Sequence, residues 1–204
     1  MTKSTYHHGN LAPALVEAAL KQVEQGGAEA VSLRDLAQSL GVSRAAPYRH
    51  FPDRDALLAT VAARGFEDLI ALYELALESP GDGRARLRAS GRSFYEFATK
   101  RPGLYRLMFE SDLLNRSPPP AVLLAPAEKS YRLVLRLVAE AFPEADETEV
   151  KVRTIIMTST GHGFLTLDHV GRFRPFMYEP LTHDEMVEAV MAAAIGAPIK
   201  RPES

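Results

Sequence analysis

Apolar residues recur at three- and four-residue spacing along most of the chain, and β-branched residues are scattered rather than alternating. This pattern predicts helices throughout and no sheet. Breakers cut it into segments at Gly26-Gly27, Gly41, Pro52, Pro80 to Gly83, Pro102-Gly103, Pro118 to Pro120, Pro143, Pro175 and Pro180. The first helix is expected from about Leu11 to Gln25, with Leu15, Ala18, Ala19 and Val23 as its buried stripe and Asn10 as its N-cap. The second runs from Leu33 to Leu40, capped by Ser32, with Asp35 in the first turn and Gly41 at its end. A short third helix should start at Ser43, reach about His50 and be closed by Pro52. Asp53 caps a long fourth whose stripe includes Leu57, Leu58, Val61, Phe66, Leu69, Ile70, Tyr73 and Leu77. Further helices are expected at about 84–100, 103–112, 121–141 and 146–170. A last one starts from the capping box Thr182/Glu185 and ends near Gly196. Residues 171–181, with Phe173, Phe176, Met177 and Tyr178, read as a surface loop. The fold class is all-α, with about nine helices. The expected division is 1–52 and 53–204, with 53–79 as a connecting helix.

Composition sharpens the class. The 204 residues are 46% hydrophobic, enough for a sizeable core, and include no cysteine, which excludes disulfides and thiolate metal sites. Met1 to Asn10 is polar and unlike a signal peptide, and no run is apolar enough for a membrane span, so a cytoplasmic setting is expected. His7-His8 belongs to a terminal arm expected to be disordered. Net charge is −2 overall. Residues 1–65 carry seven Lys+Arg against six Asp+Glu, and the remainder 17 against 20. The asymmetry has the sign expected for DNA binding at the N-terminal end, but it is too small to carry that reading alone.

The segment SLRDLAQSLGVSRAAPYRHF, Ser32 to Phe51, supplies the rest. It reads as helix, glycine turn, helix: Leu33, Leu36, Ala37 and Leu40 face inward, Val42 plugs the turn, and small Ala37 lets the two helices cross closely. In a helix-turn-helix the second helix enters the major groove, about 12 Å wide. Ser43 and Arg44 lie where free amides attract phosphate, and Arg44 can also reach a guanine edge. Tyr48 and His50 can donate to phosphate oxygens, and Arg54 adds a charge near the backbone. Phe51 is expected to be core.

These residues resemble the DNA-binding domain of TetR/AcrR-family regulators, over about residues 8–65 and most closely in SLRDLAQSLGVSRAAPYRHFPDRDALL. The family's aromatic–x–His–Phe run, basic residue and Leu-rich helix correspond to Tyr48-Arg49-His50-Phe51, Arg54 and Leu57-Leu58. The resemblance implies that Ser32 touches phosphate, that Ser43, Arg44, Ala45, Ala46 and Tyr48 face the groove, and that Tyr48, His50 and Arg54 clamp phosphates. Two positions depart from the pattern. Ala46-Pro47 stands where Thr-Leu is common, a proline tolerable early in a helix, and Arg54 stands where Lys is more usual. Met157 to Phe164 resembles the WHG subgroup of these regulators: His162-Gly163 fits, whereas the chain has no tryptophan.

The larger half is expected to sense a ligand and to dimerise. Val152, Ile155, Ile156, Ser159, Gly163 and Leu167 on one late helix, with Met186, Val187, Val190, Met191 and Ala194 on the last, form an expected homodimer face. An apolar pocket for a hydrophobic or amphipathic effector is expected among Phe94, Tyr95, Tyr105, Met108, Phe109, Tyr131, Met157 and His162, with Tyr95, Tyr131 and His162 as polar anchors. Phe97 and Phe164 lie in the same stretch, and for each aromatic plain core is the competing reading. His162 and His169 share a helix face near Asp168, but no third ligand sits at fixed spacing, so no metal or cofactor is expected. P-loop, G-x-G-x-x-G, G-x-S-x-G and H-E-x-x-H motifs are absent, which favours a regulator over an enzyme. The expected function is a repressor that binds a palindromic double-stranded operator and is released by a small molecule. The alternatives are an all-helical protein-interaction adaptor and a helical enzyme.

Overall fold

The computed structural model describes residues 11–196. Among these it contains nine α-helices, two short 3-10 turns and no strand. The helices are α1 (Leu11–Gly26), α2 (Leu33–Ser39), α3 (Arg54–Glu78), α4 (Gly83–Lys100), α5 (Pro102–Phe109), α6 (Ala121–Ala141), α7 (Glu147–His169), α8 (Pro175–Tyr178) and α9 (His183–Ala194). The sequence-expected caps are in place. Ser32 Oγ accepts from Asp35 N–H at 3.4 Å, Asp53 Oδ1 from Ala56 N–H at 2.8 Å, and Thr182 and Glu185 form a reciprocal capping box. Asn10 and the His7-His8 arm lie outside the described residues. The expected loop at 171–181 is interrupted by α8, which Pro175 opens from the first helical turn.

Internal contacts divide the chain into two units, and the division differs from a cut at 52/53. The first unit comprises residues up to Asp68 together with Arg101–Glu128. The second comprises Leu69–Lys100 and the residues from Lys129 onward.

In the first unit, α1 packs against α2 and α5. Leu15, Ala19 and Val23 of α1, Leu36 and Ala37 of α2, Leu57 and Val61 of α3 and Leu104 of α5 are fully or almost fully buried. The contact between α1 and α5 is close because residue 103 is glycine: a Cβ there would stand 2.1 Å from Val23 O. Arg101, just before α5, ties the unit together by donating from Nε to Glu24 Oε1 at 2.6 Å and from Nη1 to Asp68 Oδ2 at 2.5 Å. Phe66 meets Phe109 edge-on at 5.3 Å.

In the second unit, α4, α7 and α9 pack on one another. Phe164, Met186 and Val187 form a buried cluster to which Tyr95, Phe173, Tyr178 and Val190 add partly buried surface. Phe164 and Phe173 stack at 4.9 Å. A polar link joins the three helices: Asp168 accepts from the Tyr95 hydroxyl at 3.0 Å, and its other oxygen lies 2.8 Å from His183 Nε2. Burial, followed by the hydrogen bond to Asp168, holds the Tyr95 phenol well above the usual tyrosine range, so it donates as a neutral group.

Candidate nucleic-acid interface

The start of the site is a sharp stop to α2. Gly41 takes φ 67°, Gly41 N–H donates to Gln38 O at 3.1 Å, and Val42 N–H reaches back to Ala37 O at 3.0 Å. These two bonds form a Schellman turn, which only a residue tolerant of positive φ closes cheaply. Val42 is half-buried behind it.

The next segment is not the α-helix expected from Ser43 to His50. Ala46 N–H donates to Ser43 O at 2.9 Å, and the only helical element is the 3-10 turn Pro47–Arg49. The reason lies in Pro47. It has no N–H to offer Ser43 O, so the i→i−4 ladder cannot run through this position, and three-residue spacing takes over. Regular spacing returns only where Phe51 N–H reaches Pro47 O at 2.9 Å. The proline also anchors the segment: Pro47 is buried, and Phe51 is 8% exposed.

Around these two apolar pins the expected groove-facing residues point outward. Ser43, Arg44, Ala45, Tyr48 and His50 are exposed, Tyr48 to 55%, and Ala46 is half-buried. Ser32 is half-buried and occupied in capping α2. The surface combines a guanidinium, a hydroxyl, a phenol and an imidazole, all donors suited to phosphate or base edges. Arg54 is placed differently. Its Nε donates to Val31 O at 3.0 Å, its Nη2 to Ala28 O, and its Nη1 lies 3.6 Å from Asp55 Oδ1. Arg54 therefore secures the turn that leads into α2. Sequence reasoning missed this role, because the carbonyls it holds are 23 and 26 residues away.

The expected dimer residues separate into two groups. Val152, Ile155, Ile156, Ser159, Gly163 and Leu167 are all exposed along α7, with Val152 at 49%, Ile156 at 54% and Leu167 at 46%. Met186 and Val187 are instead interior, at 8% and 6% exposure, packed with Phe164. Their assignment to a dimer face is corrected: α9 turns that stripe toward α7 of its own subunit. Val190, Met191 and Ala194 are half-buried.

The expected pocket residues are divided between the two units. Tyr105, Met108 and Phe109 belong to the first unit. There Tyr105 and Met108 are buried core, and Met108 Sδ would meet a Cβ at Gly65 at 2.3 Å. Phe94, Tyr95, Tyr131, Met157 and His162 belong to the second unit. Tyr131 is 43% exposed, and Phe94 meets His162 edge-on at 5.2 Å. Burial holds the His162 imidazole below the usual histidine value. Of the expected residues, Met157 alone lines the cavity of about 200 Å³ found in this unit. Among the described residues no cluster of His, Asp and Glu is arranged to hold a metal, and no helix is long and apolar enough to cross a membrane.

Comparison with known proteins agrees with this architecture. Residues 15–61 match the bacterial regulatory proteins of the tetR family, and residues 87–194 match the tetracyclin repressor-like C-terminal domain. The chain is 25% identical over 170 residues to the HTH-type transcriptional activator FasR of Mycolicibacterium smegmatis, covering 83% of this chain and 74% of that one. It is 35% identical over 103 residues to the nucleoid occlusion factor SlmA of Escherichia coli, a match spanning 48% of this chain and 52% of SlmA. Among solved structures, a Rhodococcus sp. RHA1 protein of unknown function superposes with a TM-score of 0.76 at 31% identity, covering 95% of each chain. The TetR-family regulator PfmR of Thermus thermophilus shares the fold, with a TM-score of 0.64 at 22% identity over 92% of this chain and 99% of that one. With both its N-terminal and its C-terminal regions matched, and a helix-turn-helix whose polar side is turned outward, this chain belongs to the tetR family of bacterial transcriptional regulators.

Proposed function

We propose that the protein is a homodimeric repressor that holds a palindromic operator through the Ser43 to His50 segment and lets it go when a small amphipathic molecule binds. The observation that carries the reading is the exposure of Ser43, Arg44, Tyr48 and His50 on a segment pinned from behind by buried Pro47 and Phe51. Arg44 is the base-reading residue, and Ser43, Tyr48 and His50 position it on phosphates. Arg54 acts one step back, by fixing the turn before α2.

The exposed α7 row, Val152, Ile156, Ser159, Gly163 and Leu167, forms the dimer face, joined by Ala194 of α9, which lines the same cavity as Ile156. Val190 packs on the Phe164 cluster and Met191 faces Gly91, so neither is part of it. A single short reading segment buries too little surface for specific binding, and a two-fold partner supplies the second copy one helical turn away, about 34–36 Å along the duplex. A dimer covering two successive major grooves blocks polymerase sterically, which is the basis for reading it as a repressor. FasR carries the name of an activator, so the sign of regulation is measured directly by transcription from a promoter containing the selected operator. The effector acts by favouring a dimer with another spacing, at a coupling of about 1–3 kcal/mol.

The test is selection of binding sites from random duplexes, followed by titration of the selected site at rising salt. A two-fold symmetric site and a steep fall of affinity with salt are expected. Failure to enrich any sequence, or retention that ignores salt, overturns the DNA-binding reading and leaves a protein-interaction adaptor.

A further inference from the structure

The second unit holds a cavity of about 200 Å³ whose walls come from α4, α6, α7 and the end of α9, with Leu87, Val138, Phe142, Met157 and Ile195 among them. Arg153 is the one charged side chain in the lining. Its guanidinium lies 4.1 Å from the centroid of the Phe142 ring, and that of Arg84 lies 4.8 Å from the same centroid. Among the described residues one carboxylate answers them within hydrogen-bonding distance: Glu149 Oε1 accepts from Arg153 Nε at 2.8 Å and Nη2 at 2.6 Å. That bond takes one edge of the planar fork and leaves the Nη1–Nη2 edge for a second acceptor. Arg153 and Glu149 are 38% and 47% exposed, so their pairing is a weak one that a ligand can share or displace.

We infer that this cavity binds a small amphipathic monocarboxylate, with its apolar body among Leu87, Val138 and Met157 and its carboxylate on Arg153. The charge distribution sets the polarity. The two guanidinium groups on Phe142 leave the Arg153 side positive, whereas the carbonyl end of α9, Ala193 to Gly196, disfavours an anion at its side. The volume exceeds the about 150 Å³ that accommodates benzene, so the apolar body has room for a short alkyl chain. Ile156 and Ala194 line the cavity and also belong to the proposed dimer face, so an occupant presses on the surface that sets the spacing of the two reading segments. That last step rests on the regulator reading above. The binding site itself does not.

The test uses calorimetric titration of the full chain with octanoate, and with 1-octanol as the neutral probe of equal length. Octanoate is expected to bind at least about tenfold more tightly than octanol, the preference arising from one charge-assisted pair. Arg153→Gln should remove that preference and leave octanol unchanged, and Arg153→Lys should restore part of it. Glu149→Gln removes the competing carboxylate and should strengthen octanoate several-fold. Val138→Phe fills the cavity and should weaken both probes, with its melting temperature confirming that it folds. Equal affinity for the two probes, or indifference of octanoate to Arg153→Gln, overturns the site. Operator titrations on the same samples separate the two readings. Operator binding in a chain that ignores octanoate sinks the site alone. Octanoate binding with the expected variant pattern but unchanged operator affinity upholds the site and removes the effector role.

Discussion

Two exposed surfaces of this protein have opposite chemistry and are informative for opposite reasons. The Ser43 to His50 segment shows solvent two guanidinium groups, Arg44 and Arg49, with hydroxyls and an imidazole, backed by Pro47 and Phe51. Exposed polar groups cost nothing in water, so exposure alone says little about that segment, and its meaning comes from the residue pattern. The α7 face shows Val152, Ile155, Ile156 and Leu167, each 46–57% exposed, in a row interrupted by small Ser159 and Gly163. Apolar surface left in water is unfavourable by roughly 25 cal/mol per Å², which is why this row is the face proposed for the dimer. The polar surface is recognised by sequence, and the apolar one by its failure to be buried.

The comparison breaks first at α7. Ile156→Asp puts a charge in the middle of the apolar row and should give a monomer by light scattering. Operator affinity should fall by roughly 10²–10⁴-fold as the second reading segment is lost. A dimer that survives this change would move the interface elsewhere. Gly103→Ala is next: its Cβ would meet Val23 O at 2.1 Å, so α1 and α5 must separate. A loss of about 1–3 kcal/mol, or more, is expected in urea unfolding. Arg44→Ala sharpens the polar side. Specific binding should weaken by about 1–3 kcal/mol while random-sequence binding changes less, and equal losses on both duplexes would make Arg44 a phosphate contact.

The remaining effects are smaller. Thr182→Ala removes the capping box of α9 and should lower stability by about 1 kcal/mol without touching DNA affinity. His162 gives a pH signature. Its folded pKa lies below the ordinary histidine value because burial disfavours the cation. The unfolded chain therefore takes up its proton first on acidification, and stability present above about pH 6.5 is lost as pH falls below it. Unfolding midpoints compared at about pH 7.5 and about pH 5.5 should show this slope, and His162→Phe should reduce it.

Helix placement was largely legible in the sequence, since it depends on neighbours three or four residues apart. Ser32, Asp53 and Thr182 cap the helices their positions indicate, and Gly41 takes the left-handed turn its place implies. The reading segment was legible as a motif, but its backbone was misjudged at Pro47. One missing N–H there turns an expected helix into three-residue turns, although Tyr48 and His50 remain outside. The polar linkages were not legible: Arg101 with Glu24 and Asp68, and Asp168 with Tyr95 and His183, join residues far apart in the chain.

By itself, then, the sequence determined the all-α architecture, the place of most helices and the helix-turn-helix pattern of Ser32 to Phe51, because each follows from local hydrogen bonding and short-range residue pattern. Only the tertiary structure decided which apolar stripe went inside. Helix α7 is apolar on more than one side, and Val150, Phe164 and Leu165 are buried while Val152, Ile156 and Leu167 are not. Met186 and Val187 could equally have faced a partner, and they are interior because Phe164 meets them within the subunit. Burial depends on what stands opposite a side chain, and that neighbour is supplied by a distant part of the chain.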